Sequence, residues 1–157
     1  MIRAARADER DLIQSQLRTS WGSATIVSRG RSRDASRLPA FLATHDEDVV
    51  GLATFELSGP ECELVTLNAF RAGQGIGSAL LDRVTETAAE HGCLRVWLVT
   101  TNDNLAALGF YQRRGMRLVA VHPGAVDEAR RVKPTIPLVG DQGIPIHDEL
   151  ELEIRLD

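Results

Sequence analysis

Arg71-Ala72-Gly73-Gln74-Gly75-Ile76-Gly77-Ser78-Ala79-Leu80-Leu81 decides how this chain is read. Three glycines at alternate positions separate a strand-like run, Glu63-Leu64-Val65-Thr66-Leu67, from a helix-like run that reaches His91. Without a Cβ the backbone turns sharply and comes close to a ligand. The helix that follows points its unpaired N–H groups and positive dipole end back into the turn, which is where a phosphate binds. The segment reads as a pyrophosphate cradle, or else as a tight strand-to-helix connection that binds nothing.

The spacing narrows the choice of phosphate ligand. A dinucleotide fingerprint needs G-x-G-x-x-G, and counting from Gly73 and Gly75 puts Ser78 where the third glycine belongs. About twenty residues further on stand Cys93 to Trp97, with no acidic residue to hold a ribose. A P-loop needs a lysine after its last glycine, yet Gly77 is followed by Ser78 and Ala79, and Lys133 is the only lysine. NAD and ATP are disfavoured.

Composition sets the outer bounds. With 157 residues the natural expectation is a single domain, 1–157, large enough to bury a real core. A formal net charge of −4 argues against nucleic acid or an anionic membrane as partner, because both reward a basic face. Arg29, Arg31, Arg33 and Arg37 form a local basic run, but Asp34 interrupts it and no aromatics interleave, so a solvated or substrate-facing loop is expected. No apolar run is long enough to span a bilayer, and the N-terminus lacks an apolar signal-peptide core. Cys62 and Cys93 give neither CxxC nor metal spacing and read as small buried side chains. A cytoplasmic setting with reduced thiols follows as the expectation. His45, His91, His122 and His147 are scattered and no pair has ligand spacing, so no metal is expected.

Around the loop the elements fall into order. Ile2-Arg3-Ala4 reads as a short strand, and Asp8 opens a helix whose Leu12, Ile13 and Leu17 share a face. Trp21 to Arg37 has no sustained period and reads as a long irregular connection with at most a short helical turn. Pro39 to Thr44, Val49 to Leu57 and Glu61 to Ala69 form a meander, turned at His45-Asp46-Glu47-Asp48 and Ser58-Gly59-Pro60. The helix after the loop runs from about Gly75 to His91, with Ile76, Leu80, Val84 and Ala88 as its buried stripe and Gly92 as its left-handed stop. Leu94 to Thr100 is a strand, reached by a right-handed crossover. Asn102 or Asp103 caps a helix over Asn104 to Arg114, which Gly115 closes. Met116 to Val121 is a strand, Pro123 to Pro145 a punctuated loop with a helical turn over Ala125 to Val132, and Glu149 to Leu156 the last strand.

Two segments together give a resemblance. Gly73-Gln74-Gly75-Ile76-Gly77-Ser78-Ala79-Leu80-Leu81 looks like the acyl-CoA pyrophosphate loop of the GNAT superfamily of acyl-CoA-dependent N-acyltransferases. Asn104-Leu105-Ala106-Ala107-Leu108-Gly109-Phe110-Tyr111-Gln112-Arg113-Arg114-Gly115-Met116 is similar to that family's Asn-x-x-Ala-x-x-Phe-Tyr-x-x-x-Gly-hydrophobic block. The resemblance implies an α/β (α+β) fold with a mixed, mostly antiparallel central sheet of about six to seven strands flanked by helices. One position departs: the family's loop starts with Gln or Arg, and here that place is Ala72, with Arg71 one residue early.

The resemblance also implies roles. Acetyl-CoA would be the cosubstrate, held by Gln74, Gly75, Ile76, Gly77 and Ser78 of the loop, and its pantetheine arm by the backbone of Leu67, Asn68 and Ala69 and by Asn104 and Ala107. Tyr111, the only tyrosine, matches the family tyrosine that faces the CoA sulfur, so it is the candidate general acid. Glu63 is the candidate base, acting on the amine through water; by alternation it shares a face with Glu61, Val65 and Leu67, and the alternative is ordinary surface charge. The implied activity is acetyl transfer to a primary amine, on a small molecule or a protein, by direct attack on the thioester. A non-catalytic acyl-CoA sensor would keep the same cradle. Pairing through the terminal strand would make a homodimer. Substrate choice would come from Trp21 to Arg37 and Pro123 to His147.

Overall fold

The computed structural model describes residues 1–157. In chain order the elements are β1 Ile2–Ala4, α1 Arg10–Trp21, β2 Thr25–Ser28, β3 Arg31–Asp34, β4 Ala40–His45, β5 Asp48–Ser58, β6 Glu61–Ala69, α2 Ile76–Glu90, β7 Arg95–Thr101, α3 Leu105–Arg113, β8 Arg117–His122, α4 Ala125–Val132 and β9 Glu149–Arg155. Seven strands belong to one mostly antiparallel sheet, while β2 and β3 form a separate two-stranded ribbon. The chain parts into two compact units, one of residues 1–26, 34–96 and 155–157, the other of 27–33 and 97–154.

In the first unit β1, β4, β5 and β6 adjoin in that order, each antiparallel to its neighbour. Ala40, Leu42 and Leu52 meet Ile13 and Leu17 of α1, with Ala24 and Ala35, in a buried cluster. Alternation along β5 sends Gly51 to the face opposite Leu52. There α2 packs, burying Ile76, Leu80, Leu81, Val84 and Ala88. On this strand layer Phe41 stacks on Phe55 at 5.3 Å, and the Arg83 guanidinium of α2 lies 5.1 Å from the Phe41 ring centre. Gly22 ends α1 in the left-handed region, its N–H donating to the Arg18 carbonyl at 2.9 Å. Gly92 stops α2 as expected: its N–H donates to Ala89 and that of Cys93 to Ala88, the paired bonds of a Schellman motif. Cys62 and Cys93 are buried and unbridged, and burial pushes the Cys62 thiol up to about 12.

In the second unit β7, β9 and β8 adjoin in that order. The cap of α3 is Asn104, whose side chain accepts from the Ala107 N–H at 3.3 Å; the expectation of Asn102 or Asp103 is corrected. Those two residues fasten the long segment after α4 instead. Asn102 Oδ1 accepts from the His147 and Asp148 amides at 3.0 Å each, and its Nδ2 donates to the Pro145 carbonyl at 2.9 Å. Asp103 accepts from the Thr101 hydroxyl and from the Asp141 amide, and a Cβ on Gly140 would overlap its carboxylate. Arg130 of α4 donates to the carbonyls of Ile136, Pro137 and Ile146. The punctuated stretch is thus an ordered loop, nailed down by three polar side chains that satisfy its backbone.

The stretch from Trp21 to Arg37 also differs from its expectation. It contains the β2–β3 ribbon, turned at Arg29 and Gly30, both left-handed (φ 47° and 76°), followed by a short 3-10 turn over Ala35–Arg37. Two successive left-handed residues make a hairpin turn that matches strand twist. Charge holds the tip in the second unit. The Arg29 N–H donates to Glu149 at 3.1 Å, its guanidinium lies 3.4 Å from Glu151, and it sits 5.3 Å from the Trp97 ring centre.

Candidate active site

The glycine loop behaves as its composition predicts. Gly73 and Gly75 adopt φ of 75° and 70°, and a Cβ on either would meet nothing within 4 Å, so the loop's outer side is open. Gly75 is the N-cap of α2, and the first helical bond runs from the Ala79 N–H to the Gly75 carbonyl at 3.0 Å. The Ile76 and Gly77 amides ahead of it have no intrahelical acceptor. The open outer side of the loop, two amides without an intrahelical acceptor and the positive end of a fifteen-residue helix fit a diphosphate.

What seats the loop is Gly51, which sequence reasoning passed over. A Cβ there would fall 2.5 Å from Ile76 Cγ2, 3.0 Å from Leu80 Cδ1 and 3.1 Å from the Asn68 carbonyl. A glycine inside an apolar strand run is the mark of close approach that could have found it. Arg71, beside the Ala72 departure, is drawn to Asp48 at 3.2 Å, and both side chains are well exposed.

Leu67, Asn68 and Ala69 end β6, opposite Ala53, Leu52 and Gly51 of β5. The Asn68 side chain is not idle: Trp21 Nε1, at the end of α1, donates to Asn68 Oδ1 at 2.9 Å. Nothing in the sequence marks that bond, which joins residues far apart in the chain. Glu63 lies within β6 opposite Glu56 and is only 5% exposed. The surface-charge alternative for Glu63 is corrected: a covered sheet face buries it.

In the second unit Asn104, Ala107 and Tyr111 stand on one helix, α3, with Asn104 already engaged as its cap. The Tyr111 ring meets Phe110 edge to face at 5.3 Å, and burial pushes its phenol up to about 12. A phenol so shifted keeps its proton throughout the neutral range, as a general acid must. Glu149 and Glu151, each 5% exposed on β9, face the Arg29 tip, and Glu151 also bonds His122 Nε2 at 3.0 Å. The alternation of Leu150, Leu152 and Ile154 hid them, because that pattern implies a solvated opposite face. No three His, Cys, Asp or Glu side chains are grouped to hold a metal. A cavity of about 540 Å³ lies at the start of α1, lined by Arg6, Arg10, Ser36, Arg37 and Leu38, and contains none of the expected ligand residues.

Comparison with known proteins adds a family. Residues 7–116 match the model described as the acetyltransferase (GNAT) family. The Bacillus subtilis protein YdhI is 42% identical over 132 residues, 83% of this chain and 82% of YdhI. YxbD of the same organism is 38% identical over 144 residues, 91% of each chain. A GNAT family acetyltransferase from Elizabethkingia anophelis, solved with acetyl-CoA bound, superposes with a TM-score of 0.71 at 18% identity, over 99% of this chain and 97% of that one.

Proposed function

Because this chain belongs to the acetyltransferase (GNAT) family, we propose that it moves an acetyl group from acetyl-CoA to a primary amine by direct attack on the thioester. The observation that carries the reading is the open loop at Gly73 and Gly75, with the Ile76 and Gly77 amides at the head of α2. These groups bind the diphosphate of CoA, Gln74 and Ser78 flank it, and the ends of Leu67, Asn68 and Ala69 pair with the pantetheine amides as a further strand would.

The chemistry removes two protons from the nitrogen and supplies one to the sulfur. An amine in water is mostly protonated at neutral pH, so Glu63 takes its proton through a water before attack. The amine nitrogen then bonds to the thioester carbon, the carbonyl becomes an oxyanion, and a backbone N–H at the end of β6 stabilises it. The C–S bond breaks as the carbonyl re-forms, and Tyr111 donates its phenolic proton to the departing thiolate. The second proton of the acylated nitrogen returns through water to the phenolate, leaving a neutral amide and a neutral phenol. Asn104 and Ala107 hold the arm through the start of α3. The reaction uses no metal. A coupled assay of thiol release tests the reading: acetyl-CoA with a panel of small amines and amine-bearing peptides should release CoA faster than acetyl-CoA alone. Equal rates across the whole panel would refute it.

A further inference from the structure

Trp21 is an aromatic side chain left partly open to solvent. It ends α1 with 44% of its surface exposed, and its one polar atom is committed to Asn68 Oδ1 at 2.9 Å. That bond fixes the amide's orientation, since the oxygen is the acceptor and the Nδ2 donors must point the other way. Those donors meet no acceptor in the protein. The side chain lies on the face that α1 covers, because Asn68 stands opposite Leu52 and Leu52 packs with Ile13 and Leu17. The helix that heads the glycine loop covers the opposite face, where Gly51 admits Ile76. Asn68 Nδ2 is therefore not one more phosphate ligand.

We propose that the Asn68 side-chain amide, aimed by Trp21, recognises the acetyl acceptor by donating to a carbonyl oxygen next to its amine, with the exposed indole as the apolar wall beside it. The acceptor class is then an α-amino carbonyl compound, a free amino acid or the amino end of a peptide, and not a plain alkyl polyamine. This rests on the acetyltransfer reading above and narrows its acceptor. Trp21 is a positioning residue, and Asn68 is the contact. The chemistry favours such a pair: an amide left free to flip presents donor and acceptor equally, whereas one locked by an indole N–H rejects a partner that cannot accept.

The test compares kcat/KM, expressed per unprotonated amine because only the free base attacks, for glycine and glycinamide with that for ethylamine, in wild type, N68D and W21F. The ratio is internal to each enzyme, so a general loss of activity or folding cancels. Wild type should prefer the carbonyl-bearing amines by about tenfold or more, as expected when a site's donor is left unpaired. N68D keeps an acceptor for Trp21 but removes the donors, and should bring the ratio near one. W21F should fall between them. Glycinamide should also quench Trp21 fluorescence in wild type but not in W21F, which retains only Trp97. A wild-type ratio near one, or an unchanged ratio in N68D, overturns the recognition claim, and an unchanged ratio in W21F overturns the positioning claim. Absence of turnover with every amine, with acetyl-CoA still binding, would instead strike the acetyltransfer reading.

Discussion

Gly51 and Ile76 approach so closely that a single added methyl would not fit: a Cβ on Gly51 lands 2.5 Å from Ile76 Cγ2 and 3.1 Å from the Asn68 carbonyl. The side chain could yield by a rotamer change, but the carbonyl is part of β6 and cannot. Gly51→Ala should therefore cost about 1–3 kcal/mol of stability, the usual range for overpacking a tight contact. Because Ile76 is the first residue of α2, the same change should lift the loop and weaken acetyl-CoA binding. Urea unfolding and calorimetric titration check the two effects, and a stable variant with unaltered affinity would show that the contact does not seat the loop.

Tyr111→Phe keeps the ring and its edge-to-face contact with Phe110 and removes only the acid. Turnover should drop roughly a hundredfold or more, in the range typical of general acid catalysis, with acetyl-CoA affinity unchanged. Because burial pushes the phenol up to about 12, the wild-type rate should show no alkaline limb from this group near its ordinary value of 10. A limb at 10 that vanishes in the Phe variant would contradict the assigned burial.

Arg71 is held at 3.2 Å by Asp48 in an exposed pair, and such pairs are weak enough to break on ligand binding. Arg71 is thus available to supply the phosphate contact that Ala72 lacks. Arg71→Ala should weaken acetyl-CoA binding by about 1 kcal/mol, or roughly fivefold. Asp48→Asn should tighten it modestly, and both effects should shrink in high salt. Identical affinities in all three proteins would place Arg71 outside the site.

Acid stability should depend on Glu9. A two-pronged hydrogen bond from Arg3, at 2.7 Å to each oxygen, and a further one from the Arg6 N–H hold its carboxyl down at about 2, below the ordinary 4.5. The native state thus binds this proton less readily than the unfolded chain. The pair's contribution is complete above 4.5 and is lost as pH falls through about 2. Glu9→Gln should cost about 1–3 kcal/mol at neutral pH, with the gap to wild type closing in acid. Urea unfolding at pH 7, 4 and 2.5 measures it.

Much of the fold was legible because its determinants are local. Glycine spacing placed the loop, a four-residue apolar stripe placed α2, and Gly92 placed its end within one residue. The β2–β3 ribbon was not legible, since no apolar period builds it. Charge on Arg29, Glu149 and Glu151 holds its tip, and those partners lie more than a hundred residues apart. Alternation grouped Glu63 with Val65 and Leu67, but the register shift at Thr54 and Phe55 breaks that grouping. Glu63, opposite Glu56, lies on the face of Thr54, and Leu67, opposite Ala53, lies on the other. Asn104 was anticipated as a ligand; the structure engages its oxygen in capping α3, which leaves its Nδ2 donors and the second lone pair of that oxygen for a ligand. The Trp21 bond to Asn68 depends wholly on tertiary folding.

The most direct test of the account is a calorimetric titration with acetyl-CoA, run beside CoA, NAD and ATP and repeated on Gly75→Val. Acetyl-CoA and CoA should bind at one site per chain in the micromolar range, NAD and ATP should give no heat, and the valine, strained at a φ of 70° and filling the open side of the loop, should abolish binding. No heat from acetyl-CoA with the wild-type protein, or equal affinity in Gly75→Val, would contradict it.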